Sequence, residues 1–127
     1  PSILITHSAS GPDGFNAAMA RPELVQAIIT IEPVGCLSNA PKELIETPIL
    51  SVFGDNLDVR PQMIPRSQDC NNMTESLVHQ GGQASFVDLP LAEIFGNSHI
   101  MMSDLNSDQI ADKLLTWLSD IQASKAK

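Results

Sequence analysis

Ser2-Ile3-Leu4-Ile5-Thr6-His7-Ser8-Ala9-Ser10-Gly11 is an apolar run that ends abruptly in small and hydroxyl residues. Residues 2–6 read as a short strand buried on both faces, the kind that occupies a parallel sheet. Residues 10–20 follow with Phe15, Ala18 and Met19 at helical spacing, and Arg21-Pro22 closes that helix. A strand that runs through a tight turn straight into a helix can hold one hydroxyl at the sheet edge. Small neighbours are needed there because the turn brings backbone close, as in the G-x-S-x-G elbow. Here Thr6 and Ser10 stand where that motif has glycines, and Gly11 lies one place further on. Ser8 is the candidate nucleophile, with the Ala9 N–H as an oxyanion donor at the helix start. Ser10 reads as a helix cap. His7 reads as a partly buried packing residue that strand alternation turns away from Ser8.

Outward from this turn the chain alternates strands and helices. Residues 25–31 are rich in β-branched side chains and read as a strand, broken by Pro33 and Gly35. Residues 37–47 read as a loop with one helical turn at 41–44. Residues 48–53 form a third strand, 56–65 an irregular segment, and 67–80 a helix with Cys70, Met73, Leu77 and Val78 as its apolar face, stopped by Gly81-Gly82. Residues 84–89 are a fourth strand and 90–103 a long loop. Asn106 or Ser107 caps a last helix whose face is Ile110, Leu114, Trp117, Leu118 and Ile121, and residues 124–127 are expected to fray. The order β-α-β-β-α-β-α is that of an α/β layered fold with parallel strands.

Composition narrows the function. The 127 residues fit one modest domain with an ordinary hydrophobic share of 43%. The formal net charge is −8 and the few lysines form no patch, which argues against a phosphate-binding surface and so against nucleic-acid partners. No apolar run reaches the roughly 18 residues of a membrane span. Cys36 and Cys70 match no zinc spacing, so no metal is expected; a disulfide and two free thiols remain equal options.

A serine needs a base, and the base needs a carboxylate. Of the three histidines, His99 follows the last strand and precedes the last helix, beyond the C-terminal sheet edge where Ser8 stands. His79, at the end of a helix, serves the helix dipole. Two sites compete for the acid. Glu32 closes an apolar strand, where a carboxylate is costly without a partner. Asp55 and Asp58 follow the third strand among turn residues, where Asp often only organises a turn. The residues alone leave the two sites even. Phe95, Ile100, Met101 and Met102 could line an acyl or alcohol pocket or serve as loop packing.

The segment Gly96-Asn97-Ser98-His99-Ile100-Met101-Met102-Ser103-Asp104, with Ile110-Ala111-Asp112-Lys113-Leu114 and Trp117-Leu118, resembles the His loop and final helix of a group of α/β-hydrolase serine esterases of the secreted Alcaligenes type. Ile29-Thr30-Ile31-Glu32-Pro33-Val34-Gly35 is similar to the acid site of that group, a Glu after the sixth strand. The resemblance implies a Ser8-Glu32-His99 triad acting through an acyl-enzyme on a small carboxylic ester, without metal or organic cofactor. It implies that the chain is the C-terminal half of one catalytic domain, strands five to eight. Strands one to four and a second oxyanion N–H would then come from a second chain or another copy, and activity would depend on that completion. A lactonase or thioesterase on the same fold, or a non-catalytic assembly half, are the alternatives. A secreted or periplasmic location follows from the resemblance alone.

Overall fold

The computed structural model describes all 127 residues. Four strands, β1 (Ser2–His7), β2 (Val25–Ile31), β3 (Ile49–Phe53) and β4 (Ala84–Asp88), pair in parallel in the order β1-β2-β3-β4. Helices α1 (Gly11–Ala20) and α2 (Met63–His79) connect β1 to β2 and β3 to β4, and α3 (Ser107–Lys125) follows β4. Parallel neighbours require such crossovers, and the helices bury both faces of the sheet.

The core has two main parts, one on each face. Phe15 and Ala18 of α1, with Met73 and Leu77 of α2, pack on Ile28 and Ile49. On the opposite face Ile110 of α3, with the half-buried Leu114, Trp117 and Leu118, packs on Ile29, Ile31, Leu50 and Val52. Strand alternation explains the split: Ile28 and Ile29, or Ile49 and Leu50, point to opposite layers. The apolar face expected for the last helix is therefore the buried one.

Three expectations change. Helix α2 starts at Met63 rather than near Ser67, with Pro65 inside its first turn, where the missing N–H costs nothing. Val78 of α2 is exposed, and Thr74 is buried on the inner face instead, its hydroxyl donating to the Cys70 carbonyl. The segment 124–127, expected to fray, is helical as far as Lys125, where Gln83 donates to Ser124 Oγ and Lys125 donates to the Gln26 carbonyl. Cys36 and Cys70 are joined in a disulfide that ties the segment after Glu32 to α2. The outer edge of β1 has no strand partner, and Ile5 there is 62% exposed.

Candidate active site

Register sets the site. His7 pairs with Ile31 and Ile31 with Val52, so the residues just beyond β1, β2 and β3 come side by side at one sheet edge. These are Ser8, Glu32 and Gly54. The backbone is strained at two of them: Ser8 has φ 55° and Glu32 φ 40°, the left-handed region that costs a side-chain-bearing residue about 1 kcal/mol or more. Both are held from neighbouring segments. The Val34 N–H donates to the Ser8 carbonyl at 3.0 Å, and the Glu32 N–H to the Val52 carbonyl at 2.9 Å.

Gly11 supplies the closeness that the glycine motif supplies elsewhere. A Cβ on Gly11 would lie 2.4 Å from Pro33 Cβ, so only glycine lets the start of α1 pack against the Glu32-Pro33 turn. Ser10 is fully engaged with His7: its hydroxyl donates to the His7 carbonyl and accepts from the His7 N–H. It stands at the N-cap position of α1 but makes no side-chain cap bond to that helix; its hydroxyl closes the turn back onto His7 instead.

His99 bridges the other two groups. Its Nδ1 lies 2.8 Å from Glu32 Oε1 and its Nε2 3.0 Å from Ser8 Oγ. A carboxylate only accepts, so Nδ1 carries the proton and Nε2 is left as acceptor for the Ser8 hydroxyl. His99 is 30% exposed and Glu32 not at all. The turn before His99 is fixed by Asp104, which accepts from the Ser98 N–H and hydroxyl at 2.7 and 2.8 Å. Burial pushes the Asp104 carboxyl up, but the hydrogen bonds from Ser98 and Asn97 outweigh it and hold it below the usual carboxylate range.

The buried Glu32 is completely satisfied. Besides His99 it accepts from the Gly54 N–H at 2.9 Å, and the Arg60 guanidinium reaches both oxygens, Nη1 to Oε1 and Nη2 to Oε2. Burial pushes its pKa up; the hydrogen bonds from Arg60, His99 and Gly54 and the Arg60 charge reverse that, leaving it below the usual carboxylate range. The geometry thus separates the two acid candidates. Glu32 contacts His99; Asp55 instead accepts from the Gly96 N–H at 2.7 Å, steadying the start of the His loop, and Asp58 is exposed without a hydrogen bond to His99.

Sequence reasoning missed two groups. Arg60 lies in a segment read as irregular, and no local pattern links it to Glu32. His7 is half-buried, as expected, yet its ring stands 4.5 Å from that of His99 and its Nε2 donates to the His99 carbonyl at 2.8 Å. Its contact ties the elbow to the His loop. Of the pocket candidates, Phe95, Ile100 and Met102 are exposed, but Met101 is fully buried. It packs in the core beneath α3 and lines, with Ile31, Ile110 and Leu114, an apolar depression of about 340 Å³ whose walls do not include Ser8. The structure groups no set of metal-ligating side chains, and no helix is long and apolar enough to cross a membrane.

No protein-family model matches this chain, and no curated protein does. Among solved structures it is similar to a bacterial esterase, with a TM-score of 0.88 and 35% sequence identity over 94% of this chain. The chain spans 38% of that protein's length.

Proposed function

We propose that the chain carries the triad of a serine hydrolase that cleaves carboxylic esters. The single observation behind this reading is the His99 bridge, with Glu32 on Nδ1 and Ser8 on Nε2. The likeness to a bacterial esterase favours an ester over other acyl substrates. Ser8 Oγ attacks the carbonyl carbon as His99 Nε2 takes its proton. The tetrahedral oxyanion is held by the Ala9 N–H, one of the donors without a partner in a first helical turn. Collapse breaks the C–O bond, and His99 returns the proton to the leaving alcohol. Water then attacks the acyl-Ser8, giving its proton to His99, and the acid is released with Ser8 restored. Glu32 fixes the Nδ1–H tautomer and stabilises the imidazolium in both halves.

One donor is a small oxyanion hole, and the β1 edge is open. Both support a sheet continued past β1 by further strands, in the same protein or a second chain, that bring a second N–H. Mass measurement of the native protein tests this: a species no larger than this chain overturns it. A fluorophosphonate probe tests the chemistry in the native assembly. The expected result is labelling at Ser8 that Ser8→Ala abolishes, together with hydrolysis of a p-nitrophenyl ester. Absence of labelling with all partners present refutes the hydrolase and leaves an assembly role.

A further inference from the structure

Arg60 is the one charged group on Glu32 that the proton transfers above do not use. It lies 28 residues further along the chain, after the turn that follows β3. Its two terminal nitrogens span both carboxylate oxygens, and Nη2 also donates to the Asp55 carbonyl at 2.9 Å. The side chain is 22% exposed. The guanidinium is thus pinned from two directions and faces the acid, not the nucleophile.

We infer that Arg60 is a positioning residue of the proposed reaction: by sharing Oε1 of Glu32 with His99, it keeps the carboxylate ionised and the imidazole neutral, with its one proton on Nδ1 and none on Nε2, so that His99 rests as a base. The inference rests on the hydrolase reading and adds to it the control of its protonation state.

A count of charge gives the reason. With Arg60 present, an ionised Glu32 and a neutral His99 make a group of zero net charge. Without Arg60 the same two residues carry −1 in a site where Glu32 is fully buried. Such a pair takes up a proton from water readily, and the proton belongs to the pair rather than to either member. Wherever it sits, Nε2 no longer accepts from Ser8 in the required way: either His99 is an imidazolium, or Glu32 is an acid and no longer fixes the tautomer. A guanidinium suits this task because it stays charged across the working range and its planar fork matches both oxygens.

The surrounding groups leave this role to Arg60. From the segment after β3, Asp55 gives Arg60 only its backbone carbonyl while its carboxylate accepts from the Gly96 N–H, and Asp58 is exposed without a hydrogen bond to Glu32 or His99. From the His loop, Asp104 is engaged with Ser98 and Asn97. From the end of β1, His7 contacts His99 and not Glu32. Arg60 and His99 are the only charged or titratable groups hydrogen-bonded to the carboxylate.

The test compares Arg60→Gln and Arg60→Lys with the parent by two readouts. One is the pH profile of kcat/KM for a p-nitrophenyl ester in the native assembly. The other is the titration of the Glu32 side-chain carboxyl carbon by NMR, which needs no turnover. In Arg60→Gln the acidic limb and the Glu32 titration both move up by at least about one pH unit. Activity near neutrality falls about tenfold or more, and most of it returns by about pH 9. Arg60→Lys, which keeps the charge, leaves both near the parent. Should Arg60→Gln not fold, Arg60→Met is the second neutral variant with the same expectation. Equal loss at every pH with an unmoved Glu32 titration overturns the inference and makes Arg60 a structural clamp. Parent activity that survives Ser8→Ala instead overturns the hydrolase reading, whatever Arg60 does.

Discussion

Glu32→Gln is an isosteric change that removes one charge and nothing of the shape. All four contacts at the carboxylate are donors: His99 Nδ1 and Arg60 Nη1 on Oε1, the Gly54 N–H and Arg60 Nη2 on Oε2. Whichever oxygen becomes NH2 therefore faces two hydrogens. Only one of the four donors can become an acceptor, and that is the imidazole. Gln is expected to turn its NH2 to His99, forcing the proton from Nδ1 to Nε2. Nε2–H then points at Ser8 and cannot accept its proton. An amide in place of the triad acid typically lowers kcat about 10⁴-fold, or about 5 kcal/mol of transition-state stabilisation. Stability falls as well, because Arg60 loses its counter-ion. Breaking a fully buried pair costs about 3–5 kcal/mol, and the partial exposure of Arg60 reduces this to about 2–3 kcal/mol. Steady-state hydrolysis of a p-nitrophenyl ester and urea unfolding, parent against variant, measure the two effects. The stability gap has a predicted pH dependence. Glu32 is held below the usual carboxylate range in the folded chain, so its contribution is full above the unfolded carboxylate value and disappears as pH falls through the lower folded value. A Glu32→Gln variant within tenfold of the parent in kcat, with Asp58→Asn losing several orders of magnitude, refutes the assignment of the acid.

Three further outcomes follow from the same geometry. In Gly54→Ala the new Cβ lies 3.1 Å from both Glu32 Oε2 and the Asn97 carbonyl, neither free to retreat, so kcat falls and unfolding is easier by about 1–3 kcal/mol, read by ester hydrolysis and urea titration. Asp104→Asn removes the charge that Ser98 N–H and hydroxyl hydrogen-bond, loosening the turn before His99; the rate of fluorophosphonate labelling at Ser8 is expected to drop about tenfold while α3 keeps its helical signal. Cys36→Ala/Cys70→Ala opens a crosslink between residues 34 apart, a loss of about 3.8 kcal/mol on chain-entropy grounds, measured by denaturant midpoint against the oxidised parent.

Much of the layout could be read from local pattern, because local pattern decides it. Val25–Ile31 is a strand by its branched side chains, and its neighbours at the sheet edge follow from parallel register. Ser8 and His99 were placed by where their strands end. Glu32 was harder: a carboxylate after an apolar strand signals some partner, but which partner depends on residues 67 and 28 positions away. Arg60 was invisible because its segment has neither periodicity nor a cap. The start of α2 was misplaced because Pro65 reads as a breaker when only its position in the first turn makes it harmless. For His7, alternation describes the strand but stops with it. The next residue already has φ 55°, so the elbow rather than the pleat sets what His7 meets. The disulfide had no local sign at all.

The strained residues explain why the site sits where the strands end and not within them. Inside the sheet, Thr6 and Thr30 are neighbours in register and their hydroxyls bond to each other, which satisfies them but aims neither outward. One strand position further than His7 and Ile31, left-handed turns at Ser8 and Glu32 break the pleat on two adjacent strands at once. Each turn alone is unfavourable. Together they bring the hydroxyl and the carboxylate to opposite nitrogens of one imidazole, which no extended pair of strands could do, because side chains there lie side by side. The strain is held by rigid partners: Pro33 packed on Gly11, the Val34 N–H on the Ser8 carbonyl, and the Gly54 N–H on Glu32 itself. Relief of strain at either turn therefore moves both, and a change at Gly11, which touches none of the three reacting groups, is coupled to all of them through Pro33.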